Sequence, residues 1–330
     1  MENDTRDTGD HMRHLILTLL TAWGLLSAVA GPTQADVPRV VTDIRPVQAL
    51  VARIMAGLAV PTTLIRHGYT PHDYRLRASE LSQLGKADIV FWVGAELTPV
   101  LATQIERQGM GIRSVALLYT HHTRLLRYRS GDMFNDPSHA THVMLPNPTA
   151  TENVASSLEA IDPNAWLDPD NAKLWAAEIA IQLSRADPEN ADVYMANAWH
   201  AKKEIDEAIA DVRETLRPFS GTPFVVYHDG YHYFEAYFDI RAASAVYLSH
   251  TDMPPREDDV QDLLRHAEIP CAFVDPRFGR QAMRDVIAGT KTALFSVDPL
   301  GVYLPSGPNF YTNLLRSMAQ DFAACTQAQY

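Results

Sequence analysis

Cysteine is nearly absent: only Cys271 and Cys325 occur in 330 residues. Neither sits at a spacing that suggests a thiolate metal site. An even pair in an oxidising compartment suggests a disulfide, with two buried thiols as the alternative. Basic clusters are also missing. The 28 Lys+Arg face 40 Asp+Glu, for a formal charge of −12. An acidic chain of this kind has no electrostatic footprint for nucleic acid or an anionic membrane. The acidity is dispersed, as solubility requires, and is not gathered into a binding patch. Low-complexity tracts and clear internal repeats are lacking. So are a Gly-x-Ser-x-Gly elbow, a His-Glu-x-x-His helix and a phosphate loop, which removes the usual signatures of hydrolases and nucleotide enzymes.

Long apolar runs are confined to the start of the chain. Arg13 and His14 precede the run 15–30, which is shorter than the ~20 residues a bilayer span needs. Small residues follow it, with Ala28-Val29-Ala30 and Thr33-Gln34-Ala35 both suited to a signal peptidase. Residues 1–35 therefore read as a cleaved signal peptide and the mature protein as exported. No Cys follows the run, which argues against a lipid anchor.

From residue 39 onward the pattern alternates. Strands are expected at 40–42, 62–65 and 87–94, and helices at 46–57, 79–85 and 98–108. Such a β-α-β-α succession implies a parallel sheet covered on both faces. Residues 119–162 break the pattern with Pro, Asn, Ser, Thr and the four histidines His121, His122, His139 and His142. A loop of that length is uncommon without a function. Helices at 171–186 and 189–216 flank Asp187-Pro188, and the second would span roughly 40 Å. A second β/α series follows, with strands at 224–227, 241–248, 271–274 and 293–297, helices at 231–238, 256–266 and 280–289, and a closing helix at 309–325.

Three polar residues share one address, just past the carboxyl end of an expected strand: His72, His228 and Asp298. That rim is where open parallel sheets bind ligands. Two neutral imidazoles and a carboxylate are good zinc donors.

Thr70-Pro71-His72-Asp73-Tyr74, the strand segment 87–94, Ala165-Trp166-Leu167-Asp168-Pro169, Tyr227-His228-Asp229-Gly230-Tyr231-His232-Tyr233-Phe234, Val274-Asp275-Pro276-Arg277-Phe278 and Asp298-Pro299-Leu300-Gly301 occur in this order. Together they resemble the signatures of the ZnuA-type periplasmic metal receptors of ABC transporters, over essentially all of residues 39–325. The resemblance implies two Rossmann-like α/β lobes with parallel sheets, joined by one long helix, with a metal cleft between them. On that reading residues 36–187 form the amino-terminal lobe with its His-containing loop, 188–218 the linking helix and 219–330 the carboxyl-terminal lobe. It also implies His72, His228 and Asp298 as metal ligands, Asp275 as a residue orienting a ligand, and a Cys271–Cys325 disulfide. Asp73 and Asp229 would orient ligands or cap helices, and Asp43 and Arg45 are candidates for the cleft lip.

Zinc is the expected cargo. Zinc members of the family carry His where manganese members tend to carry Glu, and this chain has His228; nitrogen donors favour zinc, whereas manganese prefers carboxylates. The implied partner is an ABC permease in the inner membrane, served by a monomeric receptor with no chemistry on the substrate. One departure stands out: the family's second amino-lobe histidine is replaced by Asn164 in Asp162-Pro163-Asn164-Ala165-Trp166-Leu167. Three outcomes are open: three protein ligands plus water, recruitment of His139 or His142 from the loop, or loss of metal function or a changed ligand. A zinc hydrolase using the open position, and a chaperone or adhesin on the same fold, are the competing functions.

Overall fold

Burial on both faces marks a central parallel strand, and β1 (Val40–Thr42) and β3 (Ile89–Trp92) are buried at every position. A computed structural model of the chain describes residues 37–129, 134, 161–248 and 256–327. In its first sheet, β2 (Thr62–Thr63) and β4 (Arg113–Ala116) flank these two in the parallel order β2-β1-β3-β4. β4 was not expected from the sequence. It is an edge strand with no fully buried position, so it carries no apolar signature. Helix α1 (Arg45–Ile54) carries Pro46 in its first turn, where a missing N–H costs nothing, and buries Val47, Leu50, Val51 and Ile54. Helices α2 (Ala78–Leu84) and α3 (Pro99–Gln108) complete this half.

The second sheet repeats the plan. β5 (Phe224–His228), β6 (Ala242–Tyr247), β7 (Cys271–Val274) and β8 (Ala293–Ser296) run parallel in the order β6-β5-β7-β8. Val226 is level with Phe273 and Val274 with Ser296. That register brings the ends of β5, β7 and β8, with His228, Asp275 and Asp298, to one rim of the sheet.

Between the sheets lie α4 (Pro169–Ala186) and α5 (Ala191–Leu216). The Asp168 carboxylate caps α4 by accepting from the backbone of Asp170 and Asn171. A short 3-10 turn at Pro188–Asn190 separates the two helices, so α5 begins slightly later than the sequence pattern indicated. α5 packs on α4 and α1 on one side and on α9 (Phe310–Gln327) on the other. It is the long connecting helix. α6 (His232–Phe238), α7 (Glu257–His266) and α8 (Arg280–Val286) cover the second sheet.

A single apolar cluster runs through both halves, from Val40 and Ile44 through Trp166, Trp175, Tyr194 and Phe219 to Phe322. Smaller clusters lie on the outer face of each sheet. The described residues accordingly pack as one compact unit. The disulfide Cys271–Cys325 ties β7 to α9 with a Cα–Cα distance of 6.1 Å. Among the described residues no helix is long and apolar enough to cross a membrane. The expected signal peptide lies outside the described residues.

Candidate metal site

His228 ends β5 and is buried between rings, 4.8 Å from Phe278 and 6.0 Å from Tyr247. Burial lowers its pKa to about 4, with Arg277 and His72 pulling the same way and Asp275 and Asp229 opposing. His72 sits in the turn after β2, half-buried, and burial lowers it to about 4 as well, with Arg277 assisting and Asp73 opposing. Both imidazoles are therefore neutral near pH 7, the form that ligates a metal. They lie within electrostatic range of each other although one follows the first sheet and the other ends a strand of the second.

Asp298 lies two residues past β8. Burial and the neighbouring Asp275 carboxylate raise its pKa, while the Leu300 and Val302 N–H groups and Arg277 oppose the rise. Its Oδ1 accepts from the Leu300 N–H at 3.0 Å and its Oδ2 from the Val302 N–H. The surrounding backbone is pinned residue by residue. The Tyr231 hydroxyl donates to the Val297 carbonyl at 3.0 Å, and the Trp166 Nε1–H donates to that of Pro299 at 3.0 Å. Arg45, from the first turn of α1, donates to the carbonyls of Gly301 (2.5 Å) and Leu304 (2.8 Å) and lies 4.4 Å over the Phe310 ring. The His67 ring contacts the Val302 carbonyl. The Asp298 loop is thus held by both halves of the molecule, with Arg45 of the first reaching across to it.

Asp43 is different from what the sequence indicated. It is fully buried, and its carboxylate accepts from the Ile44 N–H (2.7 Å) and the Val93 N–H (2.8 Å). It ties the end of β1 to that of β3 and has no exposed face for a cleft. Burial raises its pKa to about 7 against those hydrogen bonds.

Asn164 stands at the expected fourth position and is also buried. Its side-chain Nδ2 donates to Asp162 Oδ1 at 2.7 Å and its backbone N–H to the same oxygen at 2.8 Å. The amide thus serves to seat the Asp162 carboxylate. Among the described residues no three His, Cys, Asp or Glu side chains converge tightly enough to hold an ion. His72, His228 and Asp298 share a neighbourhood and are not closed into a coordination sphere. His139 and His142 lie outside the described residues. His121 and His122 are exposed and pack edge-to-face on each other at 3.9 Å, a surface arrangement.

Two arginines at the site escaped the sequence reading. Arg277 forms a buried ion pair with Asp275 and reaches both histidines and Asp298 electrostatically. Arg129, at the root of the His-containing segment, is buried against Asp229 and Glu235. Its Nε lies 3.1 Å from each Asp229 oxygen, and Nη1 donates to Glu235 Oε2 at 2.7 Å. Burial would raise the Asp229 pKa, but the Arg129 charge outweighs it and holds the group below the carboxylate range. The guanidinium also lies 4.0 Å from the Phe134 ring, and the Phe134 N–H donates to the Ala243 carbonyl at 3.1 Å. With the Arg127–Ile161 bridge closing its base, the segment is rooted beside the residue that follows His228. The available signal was Asp229 in the 227–234 motif and Glu235 just past it, two acids in a stretch otherwise rich in aromatic residues, which need a cation once buried.

A protein named high-affinity zinc uptake system protein ZnuA from Paracoccus denitrificans is 36% identical over 316 residues, covering 92% of this chain and 96% of its own. Its namesake from Brucella abortus is 30% identical over 316 residues, covering 91% and 93%. A crystal structure of ZnuA superposes with a TM-score of 0.70 at 18% identity, over 88% of this chain and 100% of that one. The periplasmic zinc-binding protein TroA from Treponema pallidum superposes at 0.67 with 18% identity, over 88% and 99%. At that identity the structures establish the shared fold. The family model described as "ZnuA: Zinc-uptake complex component A periplasmic" matches residues 40–325, and the chain belongs to that family.

Proposed function

We propose that this chain captures zinc in the periplasm and hands it to an inner-membrane ABC permease, with His72, His228 and Asp298 as its metal donors. The observation that carries this reading is the pair of neutral imidazoles, His228 buried at the end of β5 and His72 half-buried in the turn after β2, one from each half of the molecule. Neutral nitrogen donors suit zinc, and a mixed N/O set of three leaves a fourth position for water or a further donor. His139 and His142 are the candidates for that donor, because Asn164 is committed to Asp162. Nitrogen-rich ligation also ranks zinc above manganese here.

Capture and release need no chemistry on the cargo, and the family is a transport binding component and not an enzyme. This sets aside the hydrolase reading. The single core shared by the two halves favours small adjustments of the cleft over wide hinge opening, because packed interiors resist deformation. The test is a deletion strain grown with a zinc chelator. Growth should fail, recover with added zinc or the wild-type gene, and not recover with His228→Ala. Normal growth of the deletion strain under chelation, in a cell without a second zinc importer, would contradict the proposal.

A further inference from the structure

The rim where His228, Asp275 and Asp298 meet already holds a cation. Asp275 is the first residue past β7 and is fully buried. Arg277, two residues on, turns its guanidinium back onto it. Nε lies 3.0 Å from each carboxylate oxygen, Nη2 donates to Oδ2, and the Arg277 backbone N–H donates to Oδ1 at 2.9 Å. The Arg277 side chain is only 7% exposed. The next residue, Phe278, is the ring that lies 4.8 Å from His228. A single 3-10 turn, Pro276–Phe278, thus fixes the guanidinium, its counterion and the aromatic wall of an expected ligand.

We infer that Arg277 sets the metal affinity of the cleft, as a fixed positive charge that an incoming divalent cation must share the rim with. This rests on the receptor reading. A purely structural tie to Asp275 would need only a neutral donor such as Gln. A guanidinium, by contrast, stays protonated at every accessible pH. Its charge reaches His72, His228 and Asp298 together, the three groups proposed to meet the metal. Asp275 offsets part of that field but lies on one side of it. Two like charges several ångströms apart in a partly buried site, with that offset, weaken binding on the order of tenfold or more. The effect is a receptor whose grip is limited by its own residue, which favours release to a permease.

The decisive experiment is competition of zinc alone against a chromophoric chelator, for the wild type, Arg277→Gln and Asp275→Asn, each checked for folding by near-UV circular dichroism. Arg277→Gln should bind zinc at least about tenfold more tightly and release it more slowly. Asp275→Asn, which leaves the guanidinium uncompensated, should bind it about tenfold more weakly. Opposite signs are the signature. If both variants weaken binding, Arg277 merely supports the turn; if Arg277→Gln is unchanged, its charge is irrelevant. Either result overturns the inference. Should Arg277→Gln not fold, Arg277→Met keeps the stem and is held to the same outcome, and Arg277→Lys, which keeps the charge, should stay within about threefold of wild type. If neither the wild type nor any variant takes zinc, the receptor reading on which this inference rests is refuted; if the wild type binds zinc and Arg277→Gln binds it no more tightly, this inference alone is overturned.

Discussion

Replacing Arg129 by Met tests how the root of the His-containing segment is held. The substitution keeps the stem and deletes the guanidinium, leaving Asp229 and Glu235 buried without the cation they share. Breaking a buried pair by removing one partner costs about 3–5 kcal/mol. With an unfolding entropy of about 2.1 cal/mol/K per residue over roughly 290 residues, that is a fall in Tm of about 5–8 °C. The deficit should depend on pH. Without Arg129, burial is left to raise the folded-state pKa of the Asp229 carboxyl above its unfolded value, so the penalty is small below about pH 4 and grows as pH rises. Urea unfolding of the metal-free protein at pH 5 and pH 8 measures both effects. Adding Asp229→Asn and Glu235→Gln should restore much of the loss, because the uncompensated charges are then gone. A deficit below about 1 kcal/mol, or one independent of pH, would refute this account of the triad.

Two other outcomes follow from the described geometry. Since His72 and His228 are both lowered to about 4, zinc binding at pH 6.5 should displace almost no protons from them. Imidazoles with ordinary values would release about one proton between them. Calorimetry in buffers of different ionisation enthalpy separates the two cases, and affinity should hold to about pH 5 before falling as the rings protonate. Changing both cysteines of the Cys271–Cys325 pair to Ser should cost about 4 kcal/mol of unfolding free energy in denaturant while leaving zinc affinity at 25 °C near wild type, because the bond ties β7 to α9 away from the ligands.

The buried strands and amphipathic helices were legible because burial on two faces and 3.6-residue periodicity are written locally. β1, β7 and the long helix fall where the pattern places them, to within a few residues at their ends. The exposed edge strand β4 was illegible for the complementary reason: Arg113-Ser114-Val115-Ala116 buries too little to leave a trace. The strand-end positions of His228 and Asp298 were legible, and the structure has them at the end of β5 and just past β8. The role of Asp43 was not legible, because its partner is the Val93 N–H at the end of another strand. Arg129 was hidden in the same way, since it meets Asp229 and Glu235 only after the chain has crossed between sheets. Asn164 was recognised as a departure from the family, and its bond to Asp162, two residues upstream, shows what the residue does instead.

The central claim is that two neutral histidines from opposite halves of the molecule hold zinc with Asp298. Zinc titration of the mature protein beside His72→Ala, His228→Ala and Asp298→Ala tests it most directly. One zinc should bind per wild-type chain, and each variant should lose at least about 100-fold in affinity, roughly 2.7 kcal/mol. Wild type that binds no zinc, or histidine variants that bind it as tightly as wild type, would contradict the account.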